Sequence, residues 1–86
     1  MPEIARFLGI TVTMYYDDHE PPHFHVRYGD HRAIIDIETM RLASGSLPPR
    51  VYGLVTEWAT RYRTELSENW NLARRHGRLR PIPALE

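Results

Sequence analysis

The sequence predicts an α+β fold: a small antiparallel β-sheet of three to five strands, built from β-hairpins and packed against one long or two consecutive C-terminal helices. Three observations carry this. Apolar and polar residues alternate with a period of two in several runs of the first forty residues. Gly-Asp sits between two such runs, as a two-residue hairpin turn requires. After Pro48-Pro49 the apolar spacing changes to three and four, the spacing of a helix face.

The elements follow in order. "EIARFLGITVTMYYDD" reads as strand, break at Gly9, strand, with Ile10, Val12, Met14 and Tyr16 on one face. "DHEPP" is a loop, because Pro21 and Pro22 cannot donate to a ladder. In "HFHVRYGDHRAIIDI", Phe24, Val26 and Tyr28 share one face and His23, His25 and Arg27 the other. A turn at Gly29-Asp30 fixes the register: Tyr28 faces His31, Val26 faces Ala33, Phe24 faces Ile35, and His23 faces Asp36. That register predicts a His23–Asp36 side-chain pair and a histidine face turned away from the core. "RLASGSL" supplies a short further strand.

Pro48 and Pro49 suit the first turn of a helix. From there Val51, Leu54, Val55, Trp58, Tyr62, Leu66, Trp70 and Ala73 form a stripe that can run to His76. Thr64 or Ser67 could cap a second helix after a bend near 63–66, and Gly77 is a natural stop. The layout is a single domain over 1–86: mainly β over 1–47, helical over 48–77, and an extended tail over 78–86 in which Ile82 and Leu85 can dock.

Composition narrows the chemistry. Eighty-six residues make one small domain, which buries only about 60–65% of its unfolded surface. There is no cysteine, so any metal site must use His, Asp or Glu. No apolar run approaches the ~18 residues of a membrane span. "MPEIARFLGI" lacks the pattern of a signal peptide, so a cytoplasmic location is expected. The formal net charge is zero, and all eleven basic residues are arginine. Residues 1–40 carry three arginines and seven acids, and residues 41–86 carry eight arginines and four acids. Two such halves can attract each other or meet complementary faces of a partner.

"DDHEPPHFHVRYGD" holds three of the five histidines beside Asp17, Asp18 and Glu20. Three readings follow. A metal site would use His19, His23 and His25, with Asp17, Asp18 or Asp36 as a carboxylate, and would suit zinc or another divalent transition metal. A metal-free catalytic face would use His23 as acid or base, Asp36 as its orienter, Arg27 as a phosphate clamp and His25 beside them, acting on RNA. The plain alternative is a solvated strand face. The His-apolar-His alternation superficially resembles histidine-triad and cupin motifs. Arg27 stands where the first needs a third histidine, and Gly29 or Asp30 where the second needs glutamate. "RRHGRLR" could touch phosphate or simply complement a helix C-terminus, and Trp58, Tyr62 and Trp70 at helical spacing read as core.

The opening Pro2-Glu3-Ile4, the block Asp18-His19 with Pro21-Pro22-His23-Phe24-His25, the strand Ala33-Ile34-Ile35-Asp36-Ile37 and the segment from Trp58 to Asn69-Trp70 resemble the bacterial domain of unknown function family 4160 over residues 2–78. Glu20 departs from it, at a position that is usually small or polar. The resemblance implies a single-domain protein, often encoded beside a small protein of domain of unknown function family 2442, in an arrangement like a toxin–antitoxin pair. It implies no catalytic residues. The expectation is one half of a two-gene toxin–antitoxin-like module acting with the adjacent gene's product. As the toxin it would be a ribonuclease-like enzyme using the His/Arg/Asp face. The alternatives are a non-catalytic binding or regulatory module and a His-based metal-binding protein.

Overall fold

The structure, a computed structural model, describes residues 2–85. Five strands form one antiparallel sheet in sequence order: β1 (Glu3–Phe7), β2 (Ile10–Thr13), β3 (His23–Tyr28), β4 (His31–Asp36) and β5 (Leu42–Gly45). Helices α1 (Pro49–Arg61) and α2 (Arg63–Arg74) follow. Among the described residues, no helix is long and apolar enough to cross a membrane.

Two-residue turns set both N-terminal hairpins. Leu8 and Gly9 join β1 to β2 with φ of 52° and 79°, the double positive φ of a turn that matches the strand twist. Gly29 opens the β3–β4 turn with φ 56°. The register predicted from that turn holds at every position, from Tyr28 opposite His31 to His23 opposite Asp36. β1 carries an irregularity at Ile4, which stands outside the ladder between the Glu3–Thr13 and Ala5–Val12 pairs.

The alternation sorts the sheet into two faces. Ala5, Val12, Val26 and Ala33 make one buried row, and Phe24 and Ile35 another. Val51, Val55, Trp58 and Leu66 from the helices pack into the same core. Trp58 lies at its centre, with ring centroids 5.4 Å from Phe7 and 6.1 Å from Phe24. Tyr16 departs from the expected core face and is 42% exposed. β2 ends at Thr13, Asp17 turns left-handed at φ 57°, and the Tyr16 ring stacks on His76 instead.

The helical stripe is broken once, at Tyr62, with φ −109° and ψ 29°. Its N–H still reaches the Trp58 carbonyl at 3.0 Å and its carbonyl accepts the Leu66 N–H at 2.9 Å, so the chain bends without losing backbone bonds. Neither Thr64 nor Ser67 caps α2; Tyr62 occupies that position without a side-chain cap. The stop also falls one residue earlier than Gly77. His76 takes the left-handed position at φ 58°, and Gly77 N–H closes back on the Leu72 carbonyl at 2.7 Å.

The tail straps the layers together. Ile82 is buried, and its N–H reaches the Ile4 carbonyl at 2.8 Å, covering part of the free edge of β1. Trp58 Nε1–H donates to the Pro83 carbonyl at 2.7 Å. Asn69, only 1% exposed, donates to the Arg80 carbonyl and accepts the Arg80 N–H, both at 2.9 Å.

Candidate metal centre

The loop between β2 and β3 is held from both sides. On the sheet side it runs directly into His23, and Ile37 N–H binds the Pro22 carbonyl at 3.0 Å. On the helix side, the end of α2 grips its acids. Arg74 pairs with Glu20, and His76 Nε2 lies 2.9 Å from an Asp17 carboxylate oxygen. The acidic first half and the basic second half of the chain thus meet here, and "RRHGRLR" complements the loop as well as the helix end. The Glu20–Pro21 peptide is cis.

Held this way, the loop presents Asp18 to the start of β3. Asp18 Oδ2 lies 2.9 Å from His23 Nε2 and 3.0 Å from His25 Nε2. Asp18 Oδ1 accepts the His19 N–H at 3.0 Å. Burial pushes the Asp18 carboxyl up. The hydrogen bond from His25, the charge of His23 and the hydrogen bonds from the His19 N–H and His23 outweigh it, so the carboxyl titrates below its ordinary value.

His23 departs from the face expected of it. It is 4% exposed, with its ring centroid 5.2 Å from that of Trp70. Trp70 of α2 packs against it, so position on the outer face of β3 does not give exposure. Its Nδ1 lies 2.7 Å from the Pro21 carbonyl. A carbonyl can only accept, so Nδ1 carries a hydrogen, and Nε2 is the atom turned to Asp18, whose carboxylate likewise accepts. His19 repeats the pattern, with Nδ1 3.1 Å from the Glu20 carbonyl. Two neighbouring backbone carbonyls therefore hold the Nδ1 side of two imidazoles and leave Nε2 as the atom a cation would take in place of a proton, which is how outer-shell carbonyls prepare histidine ligands.

The predicted His23–Asp36 backbone register is present, but the side-chain pair is not. Asp36 Oδ1 instead accepts the N–H groups of Glu38 at 2.7 Å and Thr39 at 2.9 Å, shaping the turn into β5. The residue orienting His23 is Asp18, which reaches it from the loop. Arg27 lies two residues beyond His25 on the same face and is exposed, apart from the cluster. His19, the third expected ligand, stands outside the convergent group with an 85% exposed side chain and Nε2 4.0 Å from Asp18 Oδ1.

Asp18, His23 and His25 form a group whose ligand atoms all lie within 4.8 Å of one another. An oxygen and two imidazole nitrogens that converge this closely need protons or a cation between them. Zinc bonds of ~2.0–2.1 Å at tetrahedral angles separate ligand atoms by ~3.3 Å, so a small opening of the 2.9 and 3.0 Å contacts would admit an ion. Sequence reasoning named all three residues but could not choose among the loop acids. The grip of α2 on Asp17 and Glu20 makes that choice, because it leaves Asp18 turned inward.

No curated protein and no solved structure matches the chain. The family described as Domain of unknown function (DUF4160) matches residues 9–71, a span that holds strands β2 to β5, the loop and Trp70, and the chain belongs to that family.

Proposed function

We propose that this protein is a divalent-metal protein with a catalytic-type centre, in which Asp18, His23 and His25 hold a zinc or other transition-metal ion. The observation that carries the reading is the convergence of one carboxylate oxygen and two Nε2 atoms at 2.9 and 3.0 Å, with His23 Nδ1 fixed by the Pro21 carbonyl. Three protein ligands are the number found in catalytic zinc sites, which keep a position open, and two histidines with one carboxylate suit other divalent metals too. His25 is 26% exposed at its side chain, so the open side of the group faces solvent. A bound ion would act there as a Lewis acid or activate water. His23 is the fixed ligand, Asp18 the anionic one, and His25 the ligand at the mouth. The metal-free acid–base reading is less well supported, because both His23 ring nitrogens already have partners.

The test is zinc binding at equilibrium by the purified, metal-stripped chain. One ion per chain is expected. Asp18→Asn and His23→Gln should each weaken binding by more than the ~10–100-fold typical of outer-shell changes, while His19→Ala should cost less. Wild-type protein that takes up no stoichiometric zinc, cobalt or manganese would overturn the reading.

The wider role we propose is one half of a two-gene toxin–antitoxin-like module, with the adjacent gene's family 2442-like product as its partner. This rests on the family resemblance. Its test is bacterial growth after induction of the chain alone, beside His23→Ala/His25→Ala at matched soluble levels. Arrest by the wild type only supports an active centre. Normal growth in both cultures favours the binding or regulatory module.

A further inference from the structure

The helices cover one face of the sheet. The other face is concave, and a groove of about 680 Å³ runs across it. The strand registers place Arg6, Thr11, Arg27 and Arg32 side by side in one row across four strands. Thr13, His25, Ile34 and Ser44 form the next row. All eight residues line the groove, with Tyr15 beside His25 at a ring-centroid distance of 4.5 Å.

The charge in this groove is one-sided. Its three arginines face one acid, Glu3, which is already paired with Arg6 at 2.7 Å. Arg27 and Arg32 stand directly opposite each other on neighbouring strands, and among the described residues neither has an acidic partner. Like charges in directly opposed positions destabilise a sheet. Among the described residues no acid pairs with either arginine to offset this, whereas an anion bound between the two guanidinium groups would. Adjacent strands lie ~4.8 Å apart, so both groups can grip one phosphate. His25 is two residues from Arg27, ~7 Å along the strand, and with Tyr15 offers ring surface at that end.

We propose that this groove binds a single nucleic-acid strand, with Arg27 and Arg32 clamping a backbone phosphate and Tyr15 and His25 contacting the next nucleotide. A basic track joined to an aromatic contact is how proteins hold single strands without reading sequence. The hydroxyls of Thr11, Thr13 and Ser44 supply neutral hydrogen bonds along the same floor. The inference goes beyond the metal reading and does not need it, since Arg27 and Arg32 are not ligands. His25 alone belongs to both.

The test is fluorescence anisotropy of a labelled mixed-sequence single-stranded RNA octamer with the full chain, stripped of metal, across a salt series. Binding at low salt is expected, with Arg27→Ala/Arg32→Ala weakening it at least tenfold. Single-strand affinity falls with salt at ~0.7 log units per neutralised phosphate, so the double variant, which loses one clamped phosphate, should also flatten the salt slope by ~0.7. Both side chains are exposed and their mutual repulsion is removed, so the variant should melt no lower than the wild type. Arg61→Ala/Arg63→Ala removes the same charge from the helical face and should leave binding close to wild type. Equal loss from the two double variants would mean a general charge effect and would overturn the proposal. So would no binding, tighter binding of a duplex, or competition by inorganic phosphate as effective per phosphate as the strand. Zinc uptake is measured separately, so failure here and failure of the metal centre remain distinct results.

Discussion

Replacing Asn69 by alanine should release the tail and cost a large part of the stability of this small domain. The Asn69 side chain closes a ring with the backbone of Arg80 through two hydrogen bonds of 2.9 Å, at a position 1% exposed. Two outcomes compete in the variant. If the tail stays, the N–H and carbonyl of Arg80 lose their partners, at ~1–3 kcal/mol for each group that water does not reach. If the tail lifts, the chain loses the burial of Ile82, ~2 kcal/mol. It also loses the Ile82–Ile4 and Trp58–Pro83 bonds, at ~1 kcal/mol each. The cheaper route sets the cost, which comes to ~2–4 kcal/mol. For a domain of this size each kcal/mol moves Tm by ~4–8 °C, so a fall of ~10–25 °C is expected. Thermal melting measures the cost, and hydrogen exchange at the Ile82 amide shows which route is taken. Arg80→Ala is the control, because its backbone partners are unchanged and its side chain is exposed. An Asn69→Ala protein that melts within ~3 °C of wild type, with the Ile82 amide still protected, would refute the account of the tail as a strap.

Other expectations follow from single positions. Leu8 holds φ 52° in a turn that favours Asn or Gly, and it is 66% exposed, so Leu8→Gly should raise stability by ~1 kcal/mol in a urea melt. Gly45 has φ 80°, and an added Cβ would sit 2.0 Å from the Arg32 carbonyl oxygen. Gly45→Ala should therefore displace β5 and lower stability by ~2 kcal/mol or more, read as a loss of amide protection in β4 and β5. Asp18 titrates lower in the fold than in the unfolded chain. Its contribution is thus complete above the unfolded carboxyl value of ~3.9 and is lost as pH falls through the folded one. The stability gap between wild type and Asp18→Asn in metal-free protein should accordingly be level near neutrality and close below about pH 4; a gap that widens on acidification would contradict the shift.

The sheet was legible because its determinants are local. Gly29 sets a turn, and a period of two then assigns every side chain of β3 and β4 to a face. The helix start at Pro48-Pro49 is equally local, since a proline at the first helical position removes a donor that has no partner there anyway. The break at Tyr62 was not legible, because the apolar stripe continues across it and neither Thr64 nor Ser67 is used as a cap. The site was half legible. Spacing placed His23 and His25 on one face, but face is not exposure. His23 is buried because Trp70, far along the chain, closes over it. The exchange of Asp36 for Asp18 has the same origin. Register predicts a cross-strand neighbour, whereas a loop drawn in by Arg74 and His76 supplies a nearer one. The Asn69–Arg80 ring left no signal in the sequence, since a polar residue on a helical stripe reads as solvated until its partner is known.

The packing of Trp70 against His23 gives the protein an optical readout of its own centre. The rings are 5.2 Å apart between centroids, close enough for the imidazole, its protonation and a paramagnetic ion bound to it to quench indole emission by contact. Trp58, at the centre of the core, has its N–H on the Pro83 carbonyl and reports the seating of the tail instead. In Trp58→Phe the remaining emission belongs to Trp70 alone, and cobalt or copper titrated into that variant can be followed without any label. The Trp70→Phe counterpart would keep the core signal of Trp58. If the proposed ion binds, one small chain would thus carry separate channels for the occupancy of its centre and for its fold.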